Sequence, residues 1–350
     1  MVQGQDGGRD GVSRRRALES MMWVGGILWT GSGGVSKSLS LVGQAEAASA
    51  AKPTIPIIVK DTTSAYWQIV LAGARKAGQD LGLDVRELGA RSQSDAAGQI
   101  SILENVLASK PAAVVIAPAE FAALGKPIDE AAKRVKMVVI DSAADSRALT
   151  ALLTTDNEQA GRMAADTLAD AIKRTYADAE GDVALITSLP GVASLDQRAK
   201  GFKQQIAAKY GALAIVAEKV CDGTATTAAK IMTGLIAEYS ELRGVFASDL
   251  VTAQGAAQVL AQSKTNKTGD RINLVGFDSD EKLVKFLQDG TIAGLVVQDP
   301  FRIGYEGIKT ALAASRGEKV PAKLDIAASL ITKANINSAR SQELLHPALQ

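Results

Sequence analysis

The sequence has almost none of the side chains on which nucleophilic or metal-dependent catalysis is usually built. Its 350 residues include one cysteine, Cys221, and one histidine, His346. A disulfide framework and a cysteine-rich metal site are therefore excluded. We expect His346 to be solvated because it lies near the C-terminus, and without another histidine the Ser-His-Asp and Cys-His routes are closed. We predict no catalytic residue, no metal site and no cofactor.

Net charge and aromatic content are also low. The chain has 39 basic and 38 acidic residues, which gives a net charge of +1. No global field therefore favours nucleic acid or a membrane surface as a partner. Aromatic residues make up only 4% of the chain, so the place of each one is informative. The length allows two domains, each with its own core.

The first fifty residues have the composition of a targeting segment. Three arginines at residues 14–16 precede an apolar run at residues 21–29, and small-residue sites follow at residues 45–50. This is the order of an export signal. The string SRRRAL resembles a twin-arginine signal, although two positions depart from the usual pattern. The apolar run is too short and glycine-broken for a membrane span. We predict that residues 1–50 are removed and that the mature protein is periplasmic.

From residue 54 onward, apolar runs alternate with segments of helical periodicity, and this order occurs twice. The run MVVID ends in Asp141, followed by Ser142, and the run INLVGFD ends in Asp278, followed by Ser279. Strands alternating with helices predict βαβ units with right-handed crossovers. We therefore predict an α/β fold of two doubly wound parallel-sheet lobes. Ligands bind beyond the carboxyl ends of such strands, so the predicted cleft lies between the lobes.

Two further segments have a predicted secondary structure. The segment GVASLDQR, at residues 191–198, is interpreted as a loop before a helix. The segment DIAASLITK, at residues 325–333, is interpreted as one last strand. Segments near residue 156, near Pro300 and near this last strand are the candidate hinges. Three linkers between two lobes allow opening and closing while they restrict twist.

The order and spacing of several strings resemble the periplasmic solute-binding proteins of the ribose/galactose type, which are the receptors of sugar ABC importers. The strings are SAYW, VVID, TTDNEQAG, DQRAKGF, VFASD, LVGFD and VVQDPFRIG. The resemblance runs from about residue 54 to residue 333. It implies the type I periplasmic binding protein fold with a three-segment hinge. It places the N-terminal lobe at 54–155 with 299–327, and the C-terminal lobe at 156–298 with 328–340.

Carried over position by position, the resemblance implies a sugar pocket. It gives Asp141 and Asp278 the ring hydroxyls, and Tyr66 and Trp67 the apolar wall of the pocket. Asp141 could instead cap a helix, and the two aromatic residues could be ordinary core. The implied ligand-binding set is Lys60, Tyr66, Trp67, Asp141, Ser142, Asp196, Gln197, Arg198, Asp249, Asp278 and Gln298.

Four positions depart from the pattern of ribose receptors. Lys60 replaces a small hydroxyl residue, Ala117 replaces an asparagine, Ser142 replaces an arginine, and Gly223 stands near an aromatic position. Ribose itself is therefore not the expected ligand. A buried lysine needs a partner, since without one it loses its charge or destabilises the fold. Lys60 could pair with Asp141 or Asp249, or it could meet an anionic ligand group.

The implied function is a receptor that captures a small sugar, polyol or sugar derivative and presents it to an ABC permease in the inner membrane. A chemotaxis receptor is a further possible partner, and a monomer is expected. Lys60 with Asp141, Asp196 and Gln197 also resembles autoinducer-2 receptors, which is the alternative. A lactose-repressor-type sensor would need an N-terminal helix-turn-helix, where this chain has an export signal. An enzyme is not expected, because neither a P-loop nor a dinucleotide fingerprint is present.

Overall fold

The computed structural model describes residues 52–263, 265 and 267–347. The predicted export signal at residues 1–50 lies outside the described residues. Within the described part of the chain, no helix combines the length and the apolar character needed to cross a membrane.

In the described part of the chain, twelve strands form two six-stranded sheets. The first sheet has the order β11-β5-β4-β3-β1-β2 and the second has the order β12-β10-β9-β8-β6-β7. The strands are β1 (Thr54–Val59), β2 (Asp84–Gly89), β3 (Ala113–Ile116), β4 (Lys136–Asp141), β5 (Ala151–Thr155), β6 (Gly181–Ser188), β7 (Leu213–Cys221), β8 (Leu242–Ala247), β9 (Asn273–Phe277), β10 (Gly294–Val297), β11 (Lys323–Ile326) and β12 (Ser329–Ile331). The β10–β12 pair is antiparallel, and every other pair is parallel.

Helices cover both faces of each sheet. They are α1 (Ala65–Leu81), α2 (Ala96–Ala108), α3 (Phe121–Ala132), α4 (Asn157–Tyr176), α5 (Ala193–Lys209), α6 (Ala225–Glu238), α7 (Leu250–Gln262), α8 (Glu281–Gln288), α9 (Pro300–Ser315) and α10 (Ala339–Leu345). Ile57 on β1 packs in the cluster with α1 and α9, whereas its neighbour Ile58 packs in the cluster with α2 and α3. Strands buried on both faces read as continuous apolar runs, which is why the sequence predicted them.

The second sheet is built in the same way. Helices α4 and α5 pack on one face, and α6, α7 and α8 pack on the other. The predicted fold of two doubly wound, mostly parallel α/β lobes is therefore confirmed.

The last apolar segment is not one strand, and this correction concerns the hinge. β11 pairs with β5 in the first sheet, whereas β12 pairs with β10 in the second sheet. Only two residues, Ala327 and Ala328, separate the two strands. The apolar pattern is the same on both sides of this crossing, because both short strands are partly buried. Periodicity alone could not reveal that the chain changes sheets there.

The chain passes between the two sheets three times. It leaves the first sheet after β5, returns to it after β10, and leaves it again between β11 and β12. Asp299, at the second crossing, caps α9 by accepting a hydrogen bond from the backbone N–H of Arg302. The exact lobe limits of 155/156, 298/299 and 327/328 stay a prediction, which these crossings support.

Candidate ligand-binding site

The two strand-end aspartates share an unusual backbone conformation. Asp141 ends β4 with φ of 65°, and Asp278 directly follows β9 with φ of 62°. Residues other than glycine seldom adopt this left-handed region, and Asp and Asn tolerate it best. Both side chains are buried. A strained turn at the end of a strand in both lobes is typical of functional positions.

These aspartates line one pocket between the two sheets. The pocket is lined by residues at or just after the ends of β1 and β4 in the first sheet. It is also lined by residues near the ends of β6, β8, β9 and β10 in the second sheet. Predicted site residues that line it are Lys60, Tyr66, Trp67, Asp141, Arg198, Asp249, Asp278 and Gln298.

On the first-sheet side, Asp141 is the centre of a hydrogen-bonded network. Its Oδ1 accepts from the Tyr66 hydroxyl at 2.9 Å, and its Oδ2 accepts from the Ser142 hydroxyl at 2.8 Å. Lys60 Nζ lies 2.9 Å from the same Oδ2 and donates to Ser142 Oγ at 2.9 Å. The Asp141 side chain therefore does not cap a helix, which was the alternative interpretation. It is held rigidly at the pocket wall.

Charge controls the protonation states in this network. Burial would raise the pKa of Asp141, but the Lys60 and Arg198 charges and the Ser142 hydrogen bond outweigh it and hold that pKa below its usual value. Burial and the Asp141 charge raise the pKa of Tyr66 well above its usual value. Asp141 is therefore a carboxylate and Tyr66 a neutral donor at neutral pH.

Lys60 pairs with Asp141 rather than with Asp249. Lys60 and Asp141 are 4% and 5% exposed, so the ion pair is desolvated. The Lys60 Nζ also lies 5.6 Å from the centroid of the Trp67 ring. With its charge already neutralised by a protein carboxylate, Lys60 does not need an anionic ligand group.

On the second-sheet side, Arg198 is fixed by three neighbours. Its Nε donates to Asn157 Oδ1 at 2.9 Å, and its Nη1 donates to the Ser248 carbonyl at 3.0 Å. The guanidinium carbon lies 3.7 Å from the centroid of the Phe277 ring. A guanidinium has five N–H donors in a planar fork, so further donors stay available to a ligand. Arg198 is 3% exposed, so it belongs to the buried wall of the pocket and not to the protein surface.

Asp278 is less strongly neutralised than Asp141. Gln298 Nε2 donates to its Oδ1 at 2.9 Å, and Thr155 in turn donates to Gln298 Oε1 at 2.8 Å. Burial raises the pKa of Asp278 to about 6, because it outweighs the opposing effect of Arg198 and Gln298. Asp278 lines the pocket, and its described hydrogen bond uses Oδ1 and not Oδ2.

Asp249 has a structural role besides its place in the pocket wall. Its side chain accepts from the Thr252 backbone N–H at 2.9 Å and forms a capping box at the start of α7. Its other oxygen accepts from the Ser188 hydroxyl. The half-buried carboxylate therefore has fewer free lone pairs for a ligand than Asp278.

Three predicted residues do not line the pocket. Ser142 is buried behind Asp141, while Asp196 is exposed and Gln197 lines a separate surface cavity. The segment that was interpreted as a loop is the first turn and a half of α5, which begins at Ala193. At 100° per residue, Ser194 and Arg198 lie on one face of this helix and Asp196 on the opposite one. Ligand contact by these three residues stays a prediction that this placement does not support.

The structure adds residues that the sequence did not single out. These additional pocket residues are Ser64, Gln93, Leu189, Val192, Ser194, Leu195, Leu250 and Val251. Ser194 matters most, because its hydroxyl lies 2.8 Å from that of Ser142 on the other side of the cleft. The helical phase of α5 would have indicated Ser194 together with Arg198.

The two sides of the cleft touch each other directly. Besides the two serines, the Phe121 backbone N–H at the start of α3 donates to the Gly191 carbonyl before α5 at 2.9 Å. The structure therefore represents a closed arrangement. Among the described residues, no cluster of His, Cys, Asp and Glu side chains could hold a metal ion.

A family model described as a periplasmic binding protein domain matches residues 55–319. The chain belongs to the periplasmic binding protein family. The resemblance that was predicted from the sequence is therefore confirmed.

Individual members of the periplasmic binding protein family align over most of the chain. The ribose import binding protein of Haemophilus influenzae is 28% identical over 85% of this chain and 97% of its own length. A carbohydrate transporter solute-binding protein from Agrobacterium radiobacter, solved with D-arabinose, is 58% identical with a TM-score of 0.82, over 85% of this chain and 100% of that one. A solute-binding protein from Agrobacterium vitis, bound to α-D-tagatopyranose, is 27% identical with a TM-score of 0.77, over 85% and 100%.

Proposed function

We propose that the protein is an extracytoplasmic receptor of an ABC importer, which captures a small neutral sugar or polyol by closing two lobes over it. The main observation in support of this function is that Asp141 and Asp278 line the same pocket. Each lies at the end of a strand, and the two strands belong to different sheets. Carboxylates accept hydrogen bonds from sugar hydroxyls, and bonds to a charged acceptor are the stronger ones. A ligand that bridges both lobes favours the closed state over the open one.

The charges of the pocket favour a neutral ligand. The carboxylates of Asp141, Asp249 and Asp278 face the cations of Lys60 and Arg198. Lys60 is already paired, so a sugar acid would bring a negative charge towards a site where carboxylates outnumber cations. The ligands bound to two solved relatives, D-arabinose and α-D-tagatopyranose, are neutral sugars.

The autoinducer-2 alternative has less support from the geometry. It was predicted from Lys60 with Asp141, Asp196 and Gln197. The first two line the pocket, whereas Asp196 is exposed and Gln197 lines another cavity. A sugar-binding receptor accounts for more of the residues in the pocket. We propose no enzymatic activity, in keeping with a family of binding proteins.

The function is tested by thermal shift of the protein with matched neutral and acidic sugars. A stabilising ligand at a hundred times its Kd adds about 2.7 kcal/mol to the free energy of unfolding. We expect a rise in Tm with one or more of D-arabinose, D-tagatose, D-ribose and D-galactose, and none with D-galacturonate. Asp141→Ala should abolish the rise. If none of the neutral sugars raises the Tm, the proposed function is wrong.

We further propose that the protein is periplasmic and that it delivers its ligand to a permease in the inner membrane. A chemotaxis receptor is a second proposed partner. The proposed export signal rests on the arginines at 14–16 and the small residues at 45–50. Replacing the three arginines by lysines should leave the uncleaved precursor in the cytoplasmic fraction if the twin-arginine route is used. Normal export of this variant would exclude that route. Pull-down of a permease by the sugar-loaded protein, and not by Asp141→Ala, tests the transport partner.

A further inference from the structure

Trp67 has a buried hydrogen-bond donor that no protein atom satisfies. Its side chain is 2% exposed, and its indole Nε1 has no hydrogen-bond partner. Within the described residues, the other buried side-chain atom without a partner is Nε of Arg243, which does not line the pocket. More than nine in ten buried polar groups in native proteins have a partner, so each exception calls for an explanation.

Tyr66 and Lys60 contact the Trp67 ring, and both have hydrogen-bond partners of their own. Tyr66 packs edge-on against the indole, with 4.9 Å between ring centroids, and its hydroxyl proton goes to Asp141. Lys60 is a donor only, and it already contacts Asp141 and Ser142. Asp141 accepts from Tyr66 at Oδ1 and from Lys60 and Ser142 at Oδ2, and the indole N–H is not among its donors. None of these groups accepts a hydrogen bond from the indole N–H.

The position of Trp67 indicates where the acceptor comes from. Trp67 lines the same pocket as Asp141, Arg198 and Asp278. We propose that the indole N–H of Trp67 donates a hydrogen bond to a hydroxyl oxygen of the bound sugar. This inference rests on the proposed sugar-binding function. It makes Trp67 a specificity-determining residue through a polar atom, in addition to the apolar wall predicted from the sequence.

The proposal narrows the chemistry of the ligand. A hydroxyl can accept one hydrogen bond and donate another, so the hydroxyl that faces Trp67 can also donate a hydrogen bond to a pocket carboxylate such as Asp278. A deoxy sugar without that hydroxyl leaves the indole N–H buried and unpaired, and such sites discriminate strongly against the smaller analogue. The two adjacent aromatic residues thus have different roles. The Tyr66 hydroxyl donates to Asp141, whereas the Trp67 N–H is left to donate to the ligand.

The first test is calorimetric titration of the full chain and of Trp67→Phe with D-arabinose and its monodeoxy derivatives. Phenylalanine keeps an aromatic face and removes only the N–H donor. We expect the Kd for D-arabinose to rise about tenfold in the variant. The deoxy derivative that lacks the hydroxyl bound by Trp67 should bind to the unmodified chain and to Trp67→Phe with nearly equal affinity. In that case the acceptor is already absent, so removing the donor causes no further loss. D-Ribose and its deoxy derivatives serve as the second series.

A second measurement does not depend on the fold of Trp67→Phe. The chain has three tryptophans, and the other two are Trp23 and Trp29. In the ¹⁵N-labelled double variant W23F/W29F, the indole cross-peak belongs to Trp67. We expect its proton resonance to move downfield when the sugar is added, as a new hydrogen bond requires, and to move less with the discriminating deoxy derivative.

The outcomes separate this proposal from the function on which it rests. Sugar binding with an unchanged Kd in Trp67→Phe, or with the same loss for every derivative, overturns the role of the N–H and leaves the receptor function intact. An indole resonance that stays in place on saturation overturns it as well. If the unmodified chain binds none of the four neutral sugars of the thermal-shift test, the proposed function fails, and the proposal fails with it.

Discussion

The hydroxyl oxygens of Ser142 and Ser194 lie 2.8 Å apart and belong to opposite sides of the cleft. Ser142 follows β4 of the first sheet, and Ser194 lies in the first turn of α5 beside the second sheet. The Ser142 hydroxyl has one hydrogen, which it donates in a hydrogen bond to Asp141. The same oxygen accepts a hydrogen bond from Lys60. Ser194 must therefore be the donor in the contact between the serines. The buried ion pair of one lobe is thus linked by a hydrogen bond to the helix of the other.

Ser194→Ala should weaken ligand binding without weakening the fold. The substitution removes one neutral hydrogen bond that exists only when the lobes are closed, and such bonds contribute roughly 0.5–1.5 kcal/mol. We expect the Kd for sugar to rise by about two- to tenfold. Titration calorimetry measures the Kd, and urea denaturation without ligand measures the stability. Ser101→Ala on the exposed face of α2 is the matched control. An equal Kd in both variants would remove this contact from the closure mechanism.

Lys60→Met should strongly destabilise the ligand-free protein at neutral pH. The variant leaves the Asp141 carboxylate buried without its ion-pair partner, which costs about 3–5 kcal/mol in comparable cases. Denaturant unfolding at pH 7 measures this loss. The exposed Lys76→Met, which breaks the pair with Asp80 on α1, should cost under about 1 kcal/mol.

The pH dependence of this variant has a defined sign. In the unmodified protein the pKa of Asp141 is below its usual value, so the pair stabilises the fold above the unfolded pKa and loses that effect as pH falls through the folded pKa. Without Lys60, burial raises the pKa of Asp141, and the destabilisation should shrink as the pH is lowered and the carboxyl protonates. Lys60→Met combined with Asp141→Asn should recover stability at pH 7. A deficit that does not change with pH would contradict this account.

The strand ends of the site could be predicted from sequence, because they depend on local patterns. Asp141 and Asp278 each follow an apolar run that is buried on both faces of a parallel sheet. Such runs are recognisable without knowledge of the partner strand. The place of a strand-end residue at the ligand edge of the sheet then follows from the parallel topology.

The helix face and the hydrogen-bond partners could not be predicted in the same way. The placement of Asp196 away from the pocket could not be anticipated, because the start of α5 was interpreted as a loop and a loop has no periodic face. Lys60 left two partners open, Asp141 and Asp249, because the choice depends on the relative position of β1, β4 and β8. Whether the Trp67 N–H has a hydrogen-bond acceptor depends on the positions of all surrounding side chains. The absence of a partner therefore could not be predicted from the sequence.

Ligand affinity should increase as the pH rises through the pKa of Asp278. Burial raises this pKa to about 6, with Asp249 and Asp141 acting in the same direction and Arg198 and Gln298 opposing them. A sugar hydroxyl that donates to the carboxylate favours its ionised form, so binding should release a proton near pH 6. We expect tighter binding at pH 7 than at pH 5. Calorimetry in buffers of different ionisation enthalpy measures the released proton.

The ligand-free stability should change in the opposite direction over the same pH range. Because the folded pKa of Asp278 is above its usual value of 3.8, the folded state binds more protons than the unfolded state between about pH 4 and pH 6. The contribution of Asp278 to stability is therefore present at low pH and lost as pH rises through about 6. Asp278→Asn should remove both dependences. If the variant keeps the pH dependence of binding, another group is responsible.

Gly161→Ala should disturb the binding site from the far side of α5. The helices α4 and α5 approach so closely that a Cβ at Gly161 would lie 2.1 Å from the carbonyl oxygen of Arg198. The helices must separate to accept the methyl group, and overpacking of this kind costs roughly 1–3 kcal/mol. The displaced Arg198 backbone should also raise the Kd for sugar. Gly234→Ala on α6 is the matched control, because nothing lies within 4 Å of its added Cβ. Since alanine favours a helix over glycine by about 1 kcal/mol, the control should be stabilised, and a loss of stability in both variants would contradict the steric explanation.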